Sequence, residues 1–148
     1  MKKLLMLLFS LIFIFTSCYR AVNPKDILDG FCCSYGINAE VYHSGAQYGD
    51  DGYIDSEMLN SLYGIDEAFR YDFAIVMYCD VTRVREIAVF KADTGDERMY
   101  LFELITDRLR FLSSFADGEG FIKKYRGAIV YGFVDDADGV ERAFDSLL

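Results

Sequence analysis

Two apolar, β-rich runs divided by a short polar turn, Tyr71 to Asp80 and Glu86 to Ala92, constrain this chain more than any other feature. The first run is apolar on both faces through its centre, which predicts an interior strand. The turn around Thr82 and Arg83 predicts that the two pair as an antiparallel hairpin. Gly127 to Val134 is a third clear strand, and Ala39 to His43 fits a short one. The stretch between them from Gly118 to Arg126 reads as a polar connection.

Strands of this kind need helices to cover them, and the helix signals are good. Asn23-Pro24-Lys25-Asp26 has an N-cap, a proline suited to the first helical position and an acid in the first turn. That helix aligns Ile27, Leu28, Phe31, Cys32 and Tyr35 on one stripe before Gly36 stops it. Asp55-Ser56 opens a short helix with Met58, Leu59 and Leu62 inward, ended by Gly64. After a cap region from Asp93 to Glu97, a long helix repeats Leu101, Ile105, Leu109 and Leu112, with Arg108 and Arg110 expected outward. Asp135-Asp136 opens a last helix carrying Ala137, Val140, Phe144 and Leu147 on one face. The expectation is a small two-layer α+β domain over residues 24–148, with a mixed or antiparallel sheet of three or four strands backed by helices.

Ahead of this domain stands a different kind of segment. Met1-Lys2-Lys3 is followed by an apolar run from Leu4 to Phe15, then Thr16-Ser17-Cys18. A cationic start, a short apolar stretch and small residues before a cut are the parts of an export signal. A thiol directly after the small pair fits a lipoprotein signal, in which Cys18 is lipidated and becomes the first mature residue. Phe15 stands where that pattern usually has leucine. Two other readings are an ordinary signal cut near Ser17 and an uncleaved anchor. A spanning helix needs roughly 20 apolar residues at 1.5 Å each to cross about 30 Å of hydrocarbon. Leu4 to Cys18 supplies 15, including Ser10, Thr16 and Ser17. The division expected is a signal over 1–17, a tether over 18–23 and one domain over 24–148. A diacylglycerol on Cys18 supplies two acyl chains, and two chains hold where one is marginal. The expected location is therefore the extracytoplasmic face of the cell membrane, with the lipid on Cys18 as the contact.

Charge narrows the partners. Lys2 and Lys3 leave with the signal, which takes the formal charge from −9 to −11. Such acidity argues against nucleic acid, whose phosphates need a basic footprint, and against peripheral adhesion to anionic lipid. A protein partner in the envelope is the expected kind of contact, with no cofactor.

The Tyr63-Gly64-Ile65-Asp66 turn, the strand Glu86-Ile87-Ala88-Val89-Phe90-Lys91-Ala92, the long helix, Val130-Tyr131-Gly132 and the acid-capped last helix, behind a lipoprotein-type leader, form a pattern. Over the last two thirds of the chain it resembles an uncharacterised domain-of-unknown-function family of small lipoproteins from Gram-positive bacteria. The resemblance implies the fold class and the extracytoplasmic setting, and no site residue.

Chemistry-bearing groups are sparse. Asp135, Asp136, Asp138, Glu141 and Asp145 faintly resemble a calcium loop, but the first ligand position would be Val134 and the twelfth Asp145, and helix capping accounts for them. Asp50, Asp51, Asp55 and Glu57 lie on or beside the glycine-rich loop from Ser44 to Ser56, which is expected to be a solvated loop or, alternatively, to bind calcium or a cell-wall glycan. Seven of eleven tyrosines fall between Tyr35 and Tyr78; Tyr35 and Tyr78 are expected in the core, Tyr48 and Tyr53 at the surface. Lys123-Lys124-Tyr125-Arg126 reads as a solvated connection rather than an anion site, and His43 has no companion ligand or nucleophile. Beyond Cys18, the cysteines are Cys32, Cys33 and Cys79. They fit buried free thiols, one disulfide between Cys79 and a helix cysteine, or thiol chemistry, the last needing an activating cation. Phosphate loops, nucleophile elbows, paired-histidine helices and dinucleotide fingerprints are missing from the sequence. The reading is a tethered binding or accessory domain rather than an enzyme.

Overall fold

The computed structural model describes residues 22–66, 71–80, 83–125 and 127–148, with 79, 80, 83 and 84 described in backbone only. The leader, Cys18, most of the tether, Thr82 and Arg126 thus lie outside the described residues.

Helix α1 (Pro24–Tyr35) begins where its caps dictate: the Asn23 side chain accepts the Lys25 N–H at 3.1 Å, and Pro24 takes the first helical position. It ends at Gly36, whose φ of 64° is the left-handed turn that glycine adopts without a Cβ penalty. Strand β1 (Val41–His43) and helix α2 (Ser56–Tyr63) follow, the latter capped by Asp55 and closed by Gly64. Strands β2 (Phe73–Asp80) and β3 (Arg83–Lys91) pair antiparallel along their length, as the two apolar runs predict. Helix α3 (Gly95–Ser113) starts with a capping box: Thr94 accepts the Glu97 N–H while the Glu97 carboxylate accepts the Thr94 N–H. Strands β4 (Glu119–Tyr125) and β5 (Ala128–Val134) make a second hairpin, and α4 (Ala137–Leu147), capped by Asp136, closes the chain.

The domain is α+β, with an antiparallel sheet backed by helices. The sheet has five strands in the order β1-β2-β3-β5-β4. The stretch read as a polar connection is in fact β4. Its exposure explains the misreading: as an edge strand it buries only Phe121 while Glu119, Gly120 and Lys124 face water.

Period-two alternation splits the strands between two cores. Phe73 and Ile75 of β2, Ala88 and Phe90 of β3, and Ile129, Tyr131 and Phe133 of β5 meet α2 and α3 through Leu59, Tyr63, Leu101, Ile105 and Leu112. On the other face, Ala74, Val76, Ile87, Val89, Val130 and Phe121 meet α1 and α4 through Leu28, Phe31, Val140 and Phe144. Helices back the sheet from both sides, so it lies in the middle of three layers, where two layers and at most four strands were expected, because each face of the sheet carries its own apolar set. Among the described residues, no helix is long and apolar enough to cross a membrane.

Several side chains differ from expectation. Tyr35 is exposed at the end of α1, where its ring stacks on Phe31 at 4.5 Å, and Tyr78 is half-buried. Met58 and Leu147 point to solvent, and Tyr63 takes the inward place in α2. Arg108 departs most, because it points into the core.

Candidate functional site

Glu86 sits on β3 two residues before Ala88 and four before Phe90, so its side chain shares their buried face. It is fully buried. Such a carboxylate needs donors, and it has four. The Tyr63 hydroxyl donates to Oε1 at 2.6 Å and the Tyr131 hydroxyl at 3.0 Å. Arg108 Nε donates to Oε1 at 3.3 Å, and Arg108 Nη2 donates to Oε2 at 2.6 Å. Three elements besides β3 converge here: the end of α2, the middle of α3 and the centre of β5.

The electrostatics follow from burial. Tyr63 and Tyr131 are both held well above the ordinary phenol range, first by burial and then by the Glu86 carboxylate. Burial opposes the charge of Arg108, but its hydrogen bonds and attraction to Glu86 more than offset this and raise it. The two phenols thus remain donors, and the guanidinium remains a cation.

Arg108 turns Nε and Nη2 to the carboxylate and also borders a groove of about 280 Å³ between α2 and α3, lined besides by Leu62, Tyr63, Gly64, Leu104, Asp107 and Phe111. The Tyr63 and Phe111 rings each have their centres 5.8 Å from the guanidinium carbon. Phe111 is 57% exposed and meets the equally open Phe115 edge-on at 5.0 Å. A groove bordered by a buried ion pair and an exposed aromatic ring is the kind of concave surface that takes a ligand or partner side chain.

A spacing signal for Arg108 exists in the sequence. Leu101, Ile105, Arg108 and Leu112 follow one another at four, three and four residues, a single helical stripe. Reading the arginine by its charge alone placed it outside.

The other candidates are distributed as follows. In the loop from Ser44 to Ser56, Asp50 accepts the Gln47 N–H at 3.0 Å and Asp55 accepts the Met58 N–H at 2.7 Å, so both serve the local turns. Tyr48 is 91% exposed and lies edge-on to Tyr53 at 5.8 Å. Among the described residues, no three His, Cys, Asp or Glu side chains gather closely enough to hold a metal ion. The acidic last helix and the basic stretch of β4 answer one another: Lys123 pairs with Glu141 at 2.7 Å and with Asp145 at 2.8 Å, and Tyr125 donates to Asp145 at 2.8 Å. These bonds raise Lys123 and lower Asp145. His43 accepts the Gly45 N–H through Nδ1 at 3.2 Å, a turn contact. Cys32 and Cys33 are free thiols, so neither helix cysteine is in a disulfide. Cys32 is buried, and burial, then Asp29, pushes its thiol up to about 11, away from the nucleophilic form.

Arg85, on the opposite face of β3, is also buried; its Nη1 donates to the Asp117 carbonyl at 2.9 Å and its Nη2 pairs with Asp135. It ties the end of α3 to the start of α4. Comparison with protein-family models, curated proteins and solved structures gave no match.

Proposed function

We propose that this chain is a lipid-anchored accessory domain on the extracytoplasmic face of the cell membrane, whose work is to bind rather than to catalyse. The observation that carries the reading is the order of the first eighteen residues: two lysines, an apolar run too short to span, two small residues and Cys18. Two acyl chains on that sulfur supply a firm hold, at about 0.8 kcal/mol per buried methylene. The acidic domain itself has no attraction for an anionic bilayer.

The binding surface in this reading is the groove between α2 and α3, because there the arginine of the buried ion pair borders the exposed Phe111 ring. Metabolic labelling with a tagged fatty acid tests the anchor. The wild-type chain takes up the label and Cys18→Ser does not. Equal labelling of both, or labelling of neither, refutes the anchor.

A further inference from the structure

We infer that the groove between α2 and α3 docks a lysine- or arginine-rich segment of a protein partner, one large apolar side chain of which seats between Leu62, Leu104 and Phe111. This names the chemistry of the partner for the surface proposed above and rests on that reading for the surface's role in binding.

The apolar half of the argument lies in α3, which carries a second stripe beside its buried one. At roughly 100° per residue, Tyr100, Leu104, Arg108 and Phe111 fall within about 80° of one another. Their row stands next to Leu101, Ile105 and Leu112, which belong to the core on that face of the sheet. Helix α2 meets the row with its last turn. There the Arg108 guanidinium carbon lies 5.8 Å from the centre of the Tyr63 ring, and a Cβ on Gly64 would stand 3.5 Å from Leu104 Cδ2. Phe111 lies beyond that crossing and stays exposed, and Phe115 extends the same surface through the ring contact at 5.0 Å. Tyr100 is exposed at the other end of the row, whereas exposed Met99 projects about 100° to its far side. A groove between helices with an open aromatic wall suits the side chains of a partner chain. Its volume of about 280 Å³ lies just under the ~300–1000 Å³ of small-molecule sites and suits one large side chain.

Charge selects the partner. Glu57 lies one turn before Ser61 on the α2 wall, Asp66 follows α2, and Glu103 precedes Leu104 on α3. All three are exposed, and among the described residues none of them is in an ion pair. The arginines at the groove are already matched, Arg108 by Glu86 at 2.6 Å and Arg110 by Asp107 at 2.6 Å. Helix α2 also brings its carboxyl end, the negative end of its dipole, to the groove, with no basic residue in its last turn. The rim therefore favours cations. A second copy of the chain brings the same carboxylates, and an anionic bilayer repels them, so neither matches this rim. A basic segment with an apolar anchor matches both the rim and the groove.

Selection of random dodecapeptides against the full chain, held in nanodiscs of zwitterionic phosphatidylcholine, tests this, with the recovered peptides titrated by fluorescence anisotropy. The peptides recovered have an excess of lysine and arginine and at least one large apolar residue. Exchange of that residue for alanine, or Phe111→Ala in the protein, weakens binding by about tenfold or more. Glu103→Lys, at an exposed position outside the core, weakens it several-fold, as does raising the salt from ~0.05 M to ~0.5 M. Tyr48→Ala, in the loop from Ser44 to Ser56, leaves it unchanged. A selection that yields no binder overturns the inference, as does binding that Phe111→Ala and Glu103→Lys both leave intact, or that Tyr48→Ala abolishes. A chain that sediments as a dimer, and as a monomer after Phe111→Ala, overturns it too, because a second copy then fills the groove. Neutral or acidic binders that Phe111→Ala still abolishes refute the partner's chemistry and leave the groove as the binding surface. The anchor fails separately: fatty-acid labelling is blind to the groove, and peptide titration is blind to Cys18.

Discussion

Replacing Arg108 by methionine removes the cation and keeps the aliphatic length of the side chain, which isolates the cost of leaving Glu86 alone. Two of the four hydrogen bonds to the carboxylate disappear, one at 2.6 Å and one at 3.3 Å, while those from Tyr63 and Tyr131 remain. A hydrogen bond to a charged group contributes about 1.5–3 kcal/mol. The short bond at the top of that range and the long one at the bottom together give about 4.5 kcal/mol. Breaking a buried ion pair from one side costs about 3–5 kcal/mol, in agreement. Against a total of about 5–15 kcal/mol for a domain, the variant keeps its fold with a small margin. Glu86→Gln restores neutrality, and its carbonyl still accepts from the phenols. The double variant is therefore more stable than the sum of the single losses, by about 1–3 kcal/mol of coupling. Urea unfolding of the four proteins, followed by far-UV circular dichroism, gives the cycle directly. Losses that add within about 0.5 kcal/mol refute the buried pair, as does an Arg108→Met variant within about 1 kcal/mol of wild type.

Three further outcomes follow from the packing. Gly132 lies opposite Phe121 in the β4–β5 pair, and a Cβ there would run into the Phe121 ring, so Gly132→Ala loses about 1–3 kcal/mol in the same urea assay; no loss means the ring does not cover that position. Tyr63, Tyr125 and Tyr131 are held above the ordinary phenol value, and Cys32 is raised from 9.0 to about 11. Between the unfolded and folded values the unfolded chain has lost protons that the folded one keeps, so stability falls as pH rises from about 9 through 11; a thermal midpoint that stays level over that window contradicts the burial of these groups. With native protein, a maleimide labels exposed Cys33 and spares Cys32 until urea is added; prompt labelling of Cys32 in the absence of urea contradicts its burial in the core that holds Phe31 and Phe144.

How much of this was legible in the sequence depends on the range of each signal. Caps and stops act within four residues, and so Asn23, Gly36, Asp55, Gly64 and Asp136 mark helix ends directly. Strands buried on both faces announce themselves by composition, as Ala74 to Val76 and Ile87 to Phe90 do. An edge strand has no such mark, because half its residues belong to water; β4 was hidden by Glu119, Lys123 and Lys124. The pairing of Glu86 with Arg108 lies 22 residues apart on a strand and a helix, and neither residue looks buried when taken singly. Only their positions on apolar stripes give them away. Basic β4 and acidic α4 likewise read as two motifs, although Lys123, Glu141 and Asp145 form one surface cluster. The groove needs the crossing of α2 and α3, which no local pattern records.

The mass of the amino-terminal peptide from protein purified out of native membranes tests the anchoring proposal most directly. The proposal predicts a peptide that begins at Cys18 and is heavier than its residues by a diacylglycerol. A peptide that begins at Tyr19, carries an unmodified Cys18, or still contains Met1 to Lys3 contradicts it.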